Sequence, residues 1–73
     1  MDKKILYLFK NTRSVVKAQN ELVKNRLKCL ILPVPRNISS ECGMCIETLA
    51  ENEIMVDKLL EKIDINFNKT VDY

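Results

Sequence analysis

The chain has 73 residues, 47% of them apolar, with 12 basic and 10 acidic side chains and a net charge of +2. That length allows a single domain with a modest core, and that apolar fraction argues against disorder. The charge is too balanced to indicate nucleic acid or an anionic membrane, and no apolar run approaches the roughly 20 residues that span a bilayer. Three cysteines are too few and odd in number for a disulfide framework. The absence of histidine removes the commonest general base and the easiest zinc ligand. Met1-Asp2-Lys3-Lys4-Ile5 enters a strand-like run without the form of a signal peptide. Thiols without an export signal point to the reducing cytoplasm.

Lys4 to Phe9 is an apolar, β-favouring run of the kind buried on both faces. Asn11 or Thr12 offers an N-cap for a helix reaching about Arg26. Val15, Ala18 and Leu22 form its apolar stripe, with Val16 and Val23 beside it, and Asn25 is expected as a left-handed C-cap. Lys17, Lys24 and Lys28 are expected to be solvated. Cys29 to Leu32 reads as a second strand stopped by Pro33. The stretch from Pro33 to Cys42 is irregular, since two prolines within three positions exclude a helix. Gly43, the one glycine, marks a backbone position that a side chain would obstruct.

Met44 to Glu47 reads as a third strand. Thr48-x-x-Glu51 has the form of a capping box, with Asn52 as a later start, for a helix to about Ile63. Val56, Leu59, Leu60 and Ile63 supply its buried face, opposite Glu53, Asp57, Lys58, Glu61 and Lys62. Ile65-Asn66-Phe67-Asn68 alternates as a half-buried edge strand does. The order strand, helix, strand, strand, helix, strand predicts an α+β, ferredoxin-like βαββαβ sandwich. It has a four-stranded antiparallel sheet with both helices on one face. The first and third strands are apolar at nearly every position, so the open face should be covered by a second copy or a partner protein. Tyr7, Phe9 and Phe67 are expected in the core or at that interface.

Cys42 and Cys45 form a C-x-x-C pair with three competing uses. A dithiol redox couple normally sits at a helix N-terminus, whereas this pair precedes a strand. If Met44 is extended, Cα atoms three apart lie roughly 10 Å from each other, too far for a disulfide. Cys45 then participates only if the turn persists through Met44; otherwise it is a small buried hydrophobe. The metal reading is weaker, because Cys29 is the only other strong soft ligand and reads as a core residue, so a complete tetrahedral site would need carboxylates or a second chain. No metal or cofactor is expected. The third use is a single reactive thiol, Cys42, at the end of a loop carrying Arg36, Ser39 and Ser40. Arg36 can stabilise a thiolate or a bound anion, and the serines with the N–H groups before Gly43 can form an anion-binding nest.

The segment Leu32-Pro33-Val34-Pro35-Arg36-Asn37-Ile38-Ser39-Ser40-Glu41-Cys42-Gly43 resembles the DUF3343, or selenium/sulfur carrier protein-like, family. Pro33, Pro35, Arg36, Ile38, Ser39, Cys42 and Gly43 match its pattern at the same spacing. Tyr-Leu-Phe near the N-terminus and Tyr73 are also similar. Asn25 stands where the family has glycine, and Cys45 where an aliphatic residue is usual. The resemblance implies that Cys42 carries sulfur or selenium, as a persulfide or selenenyl sulfide, between donor and acceptor proteins. Cys45 could then release the cargo. The other readings are a non-enzymatic binding or regulatory module using the Pro33–Cys42 loop, and a thiol redox protein. Without histidine, paired carboxylates or a glycine-rich phosphate loop, no independent catalytic activity is expected.

Overall fold

The computed structural model describes residues 3–34 and 43–71, with residues 70 and 71 as backbone. In chain order the elements are β1 (Lys4–Leu8), α1 (Thr12–Lys24), β2 (Cys29–Pro33), β3 (Met44–Leu49), a 3-10 turn (Ala50–Asn52), α2 (Glu53–Lys62) and β4 (Asn68–Val71). The strands form one antiparallel sheet in the order β2-β3-β1-β4. This is the expected ferredoxin-like arrangement. Among the described residues no helix is long and apolar enough to cross a membrane.

The register sets the two faces of the sheet. Ile5 and Tyr7 of β1 share one face with Ile46 of β3 and with Cys29 and Ile31 of β2. Val15, Ala18 and Leu22 of α1 and Val56 and Leu60 of α2 pack onto that face as one cluster. Burying side chains of this size contributes about 1.5–3 kcal/mol each. Leu6, Leu8 and Cys45 point to the opposite face and form a second cluster with Leu32 and Val34. Leu6 and Cys45 are fully buried and Leu8 nearly so, within a single chain. The apolar centre of the open face therefore needs no second copy for its burial, which removes the ground on which a dimer across that face was expected.

Two hydrogen bonds fix the phase of the ladders. The Ala50 N–H donates to the Lys3 carbonyl at 2.8 Å, and the Val34 N–H to the Gly43 carbonyl at 3.0 Å. Antiparallel ladders alternate between bonded and non-bonded pairs. Ile5–Thr48, Tyr7–Ile46, Leu30–Glu47 and Leu32–Cys45 are therefore the bonded pairs. The main-chain groups of Cys29, Ile31 and Pro33 face outward from the sheet. Pro33 was expected to stop β2, yet it is the last residue of the strand. Its missing N–H falls on the outer edge, where no ladder bond is lost.

Both helices end in the same device. At the end of α1, the Leu27 N–H donates to the Leu22 carbonyl and the Arg26 N–H to the Val23 carbonyl, both at 3.0 Å. At the end of α2, Ile65 donates to Leu60 and Asp64 to Glu61, both at 3.1 Å. These are Schellman motifs, with Arg26 (φ 59°) and Asp64 (φ 58°) in the left-handed region. The left-handed residue is thus Arg26, not Asn25, whose φ is −95°. Asn11 caps α1 as expected, its side chain accepting from the Ser14 N–H at 2.8 Å.

Two further expectations are corrected. Thr48 is not a helix cap: it lies inside β3, paired with Ile5 and Cys29. Asn52 precedes α2 instead, without a side-chain capping bond. β4 begins at Asn68 and not at Ile65. The Ile65 N–H is committed to the end of α2, so the alternating Ile65–Phe67 stretch buries its apolar side chains without joining the ladder.

Candidate functional site

The sequence singles out the segment that joins β2 to β3. The Val34–Gly43 hydrogen bond continues the β2–β3 register one step past Pro33–Met44, so this segment springs from a closed hairpin base. Arg36, Ser39, Ser40 and Cys42 lie outside the described residues. Gly43 and Cys45 are within them.

Gly43 has a φ of +77°, and a Cβ built there would meet nothing within 4 Å. Its glycine is needed for backbone conformation and not for space, which corrects the expected obstruction. The chain turns at Gly43 and is already extended at Met44, the first residue of β3. Of the two alternatives for Met44, the strand holds.

Cys45 is fully buried. Its side chain points to the face opposite the helices, beside Leu32 and Leu8, and its Sγ lies 4.0 Å from the Pro33 carbonyl oxygen. A thiol in this position cannot meet a bulky reagent while the strand stays in place. Cys29 is half-buried on the helix face and packs against the main core, as expected of a small hydrophobe. Burial pushes its thiol pKa up, so it holds its proton and is a poor nucleophile at neutral pH. Among the described residues no three histidine, cysteine or acidic side chains are grouped to hold a metal ion.

One polar cluster escaped the sequence. The Tyr7 hydroxyl donates to Asp57 Oδ1 at 2.8 Å and lies 3.4 Å from the Glu53 carbonyl. Lys69 Nζ contacts Glu53 Oε2 and Asp57 Oδ2, each at 2.7 Å. Burial first, and the Asp57 carboxylate second, push the Tyr7 phenol far above its usual range. The hydrogen bonds to Asp57 and Glu53 raise Lys69. Glu53 and Asp57 were assigned to a solvated face; their i, i+4 spacing could have signalled a joint cation site, but not which strand supplies the cation. This cluster ties β1 and β4 to α2 and is remote in the sheet from the β2–β3 hairpin base.

No curated protein and no solved structure matches the chain significantly. A family model does match, over residues 4–72, and its span takes in β1 through β4 together with the whole Pro33–Gly43 segment. The chain belongs to the family described as Putative Se/S carrier protein-like.

Proposed function

We propose that the protein carries sulfur or selenium on Cys42 and passes it between a donor and an acceptor protein. The observation that supports this reading is the family match, which spans residues 4–72 and so includes Cys42 with Arg36, Ser39 and Gly43. In the loading step the Cys42 thiolate attacks the terminal sulfur of a donor persulfide. The donor S–S bond breaks, a new S–S bond forms on Cys42, and the donor leaves as a thiolate. No net oxidation occurs. An acceptor thiolate repeats the same exchange in the reverse sense. Arg36 and the Ser39–Ser40 backbone favour the anionic forms of these groups.

Cys45 has a narrower part in this proposal than its sequence position suggested. Attack of its thiolate on Cys42 Sγ would release hydrosulfide and leave a Cys42–Cys45 disulfide, which a cellular thiol must then reduce. Its burial makes direct transfer to an acceptor the principal route and this release the slower one. A carrier thiol needs a reducing compartment, which is the basis for placing the protein in the cytoplasm. The test is incubation with a cysteine desulfurase and either cysteine or selenocysteine, so that the enzyme's own persulfide or selenopersulfide is the donor, followed by intact mass. One added sulfur or selenium on the wild type, absent in Cys42→Ser, is expected. No addition, or equal addition to Cys42→Ser, sinks the proposal.

A further inference from the structure

The two edges of the sheet differ in kind. β4 reads Asn68-Lys69-Thr70-Val71, polar and carrying a lysine, as solvated edges usually are. β2 reads Cys29-Leu30-Ile31-Leu32-Pro33, without a charge or a polar side chain along its length. Leu30 is 54% exposed, the one exposed large hydrophobic side chain among the described strand residues. The ladder phase turns the N–H and C=O groups of Cys29 and Ile31 outward. At Pro33 a carbonyl faces outward with no donor beside it.

We propose that the outer edge of β2 pairs antiparallel with β2 of a second copy, joining two sheets into one of eight strands. The outward groups allow one two-fold register in which both the N–H and the C=O of Cys29 and of Ile31 find partners. Cys29 pairs with Ile31 of the second copy, and Ile31 with its Cys29, giving four main-chain hydrogen bonds. A register centred on Ile31 would instead set Cys29 opposite Pro33, whose missing donor leaves a gap. In the satisfied register the two-fold axis passes between the two Leu30 residues. They form a non-hydrogen-bonded pair with Cα atoms about 4.5 Å apart, the closest side-chain approach a ladder offers.

The helix layer continues the same surface. α1 packs on β2 and β3. With a right-handed crossover, α1 runs antiparallel to β1, and its right-handed turn carries residues 16 and 23 from the buried stripe towards the β2 side. Val16 and Val23 are 47% and 59% exposed there. The two-fold that pairs the β2 strands turns this flank of α1 towards its copy. An extended peptide could meet the main-chain groups equally well. The second copy is favoured because it also matches Leu30 with Leu30 and the α1 valines with each other.

Light scattering and sedimentation on the full chain should give twice the 8.5 kDa chain mass. Leu30→Lys sets two like charges across the axis and should give a monomer with an unchanged circular dichroism spectrum. Leu30→Cys should form a disulfide between the two substituted positions under oxidised glutathione, identified by peptide mapping against the native cysteines. That variant decides the matter if Leu30→Lys does not fold. A wild type that stays monomeric at its highest attainable concentration overturns the proposal. So does a dimer whose Leu30→Cys form never joins at the substituted positions. Neither outcome bears on Cys42 loading, which is read separately by mass.

Discussion

The Tyr7 hydroxyl lies 2.8 Å from Asp57 Oδ1, so a residue at the centre of the sheet donates to a carboxylate on α2 fifty positions later. Lys69, the cross-strand neighbour of Tyr7 on β4, reaches the same carboxylate through its other oxygen. The bond joins β1 to α2 and brings a phenol, a carboxylate and an ammonium together at one helical turn. Tyr7→Phe keeps the ring and its 5.3 Å contact with Phe67 while removing the donor. Denaturant melts should show a loss of about 1–2 kcal/mol at unchanged m.

The same bond carries a pH signature. The folded-state pKa of Tyr7 is raised, chiefly by burial and then by Asp57. Its stabilisation is therefore full below the unfolded phenol value, near 10, and declines as pH rises above it. Between those limits the unfolded state releases a proton that the native state keeps. Stability measured against pH should fall above pH ~10 in the wild type and fall less steeply in Tyr7→Phe. An identical slope in the two proteins would exclude this account.

Arg26 and Asp64 occupy left-handed positions that glycine adopts without steric cost. Arg26→Gly and Asp64→Gly should each raise stability by about 0.5–1 kcal/mol. They lie at the ends of different helices and should add. Arg26→Val should act in the opposite direction, because a β-branched side chain is poorly tolerated at positive φ. Thermal melts of the single and double variants read all three outcomes.

Thr48 is 2% exposed, and its Oγ1 has no hydrogen-bond partner among the described residues. A buried hydroxyl without a partner costs about 1–3 kcal/mol relative to a solvated one. Thr48→Val keeps the branched shape and removes the oxygen. It should therefore stabilise the fold by about 1 kcal/mol, against the usual direction of core substitutions.

Cys45 is inaccessible in the folded chain. Iodoacetamide applied to native protein should leave it unmodified on the timescale that labels an exposed thiol, and label it fully in denaturant. Cys29, half-buried with its pKa raised, should react at an intermediate rate that climbs with pH. Rapid native labelling of Cys45 would remove the barrier on which the slow-release role rests.

Much of the fold was legible along the chain, because periodicity is a local property. The stripe Val15–Ala18–Leu22, the pair Val56 and Leu60, and the two-sided burial of Ile5 to Leu8 all follow from spacing and residue type. The Asn11 cap needed one side chain and one N–H three residues on. The errors arose where a distant segment outbid a local preference. Thr48 has the makings of a cap, but its ladder bonds to Ile5 of β1, between the flanking strands β1 and β2, hold it in a strand. Ile65 alternates like a strand residue, but its N–H closes the end of α2.

The C-x-x-C pair shows the same division at the candidate site. Composition and spacing established that Cys42, Gly43 and Cys45 are neighbours and that the chain has no histidine. Gly43 alone signalled a special backbone position. Only the tertiary structure could separate turn from strand. The left-handed φ stops at Gly43, and pairing with Leu32 and Leu8 draws Cys45 into the ladder and buries its thiol. A short sequence supplies the two cysteines and the turn. Whether Cys45 lies within reach of another protein depends on the pairing of β3 with β1 and β2, which the C-x-x-C segment does not contain.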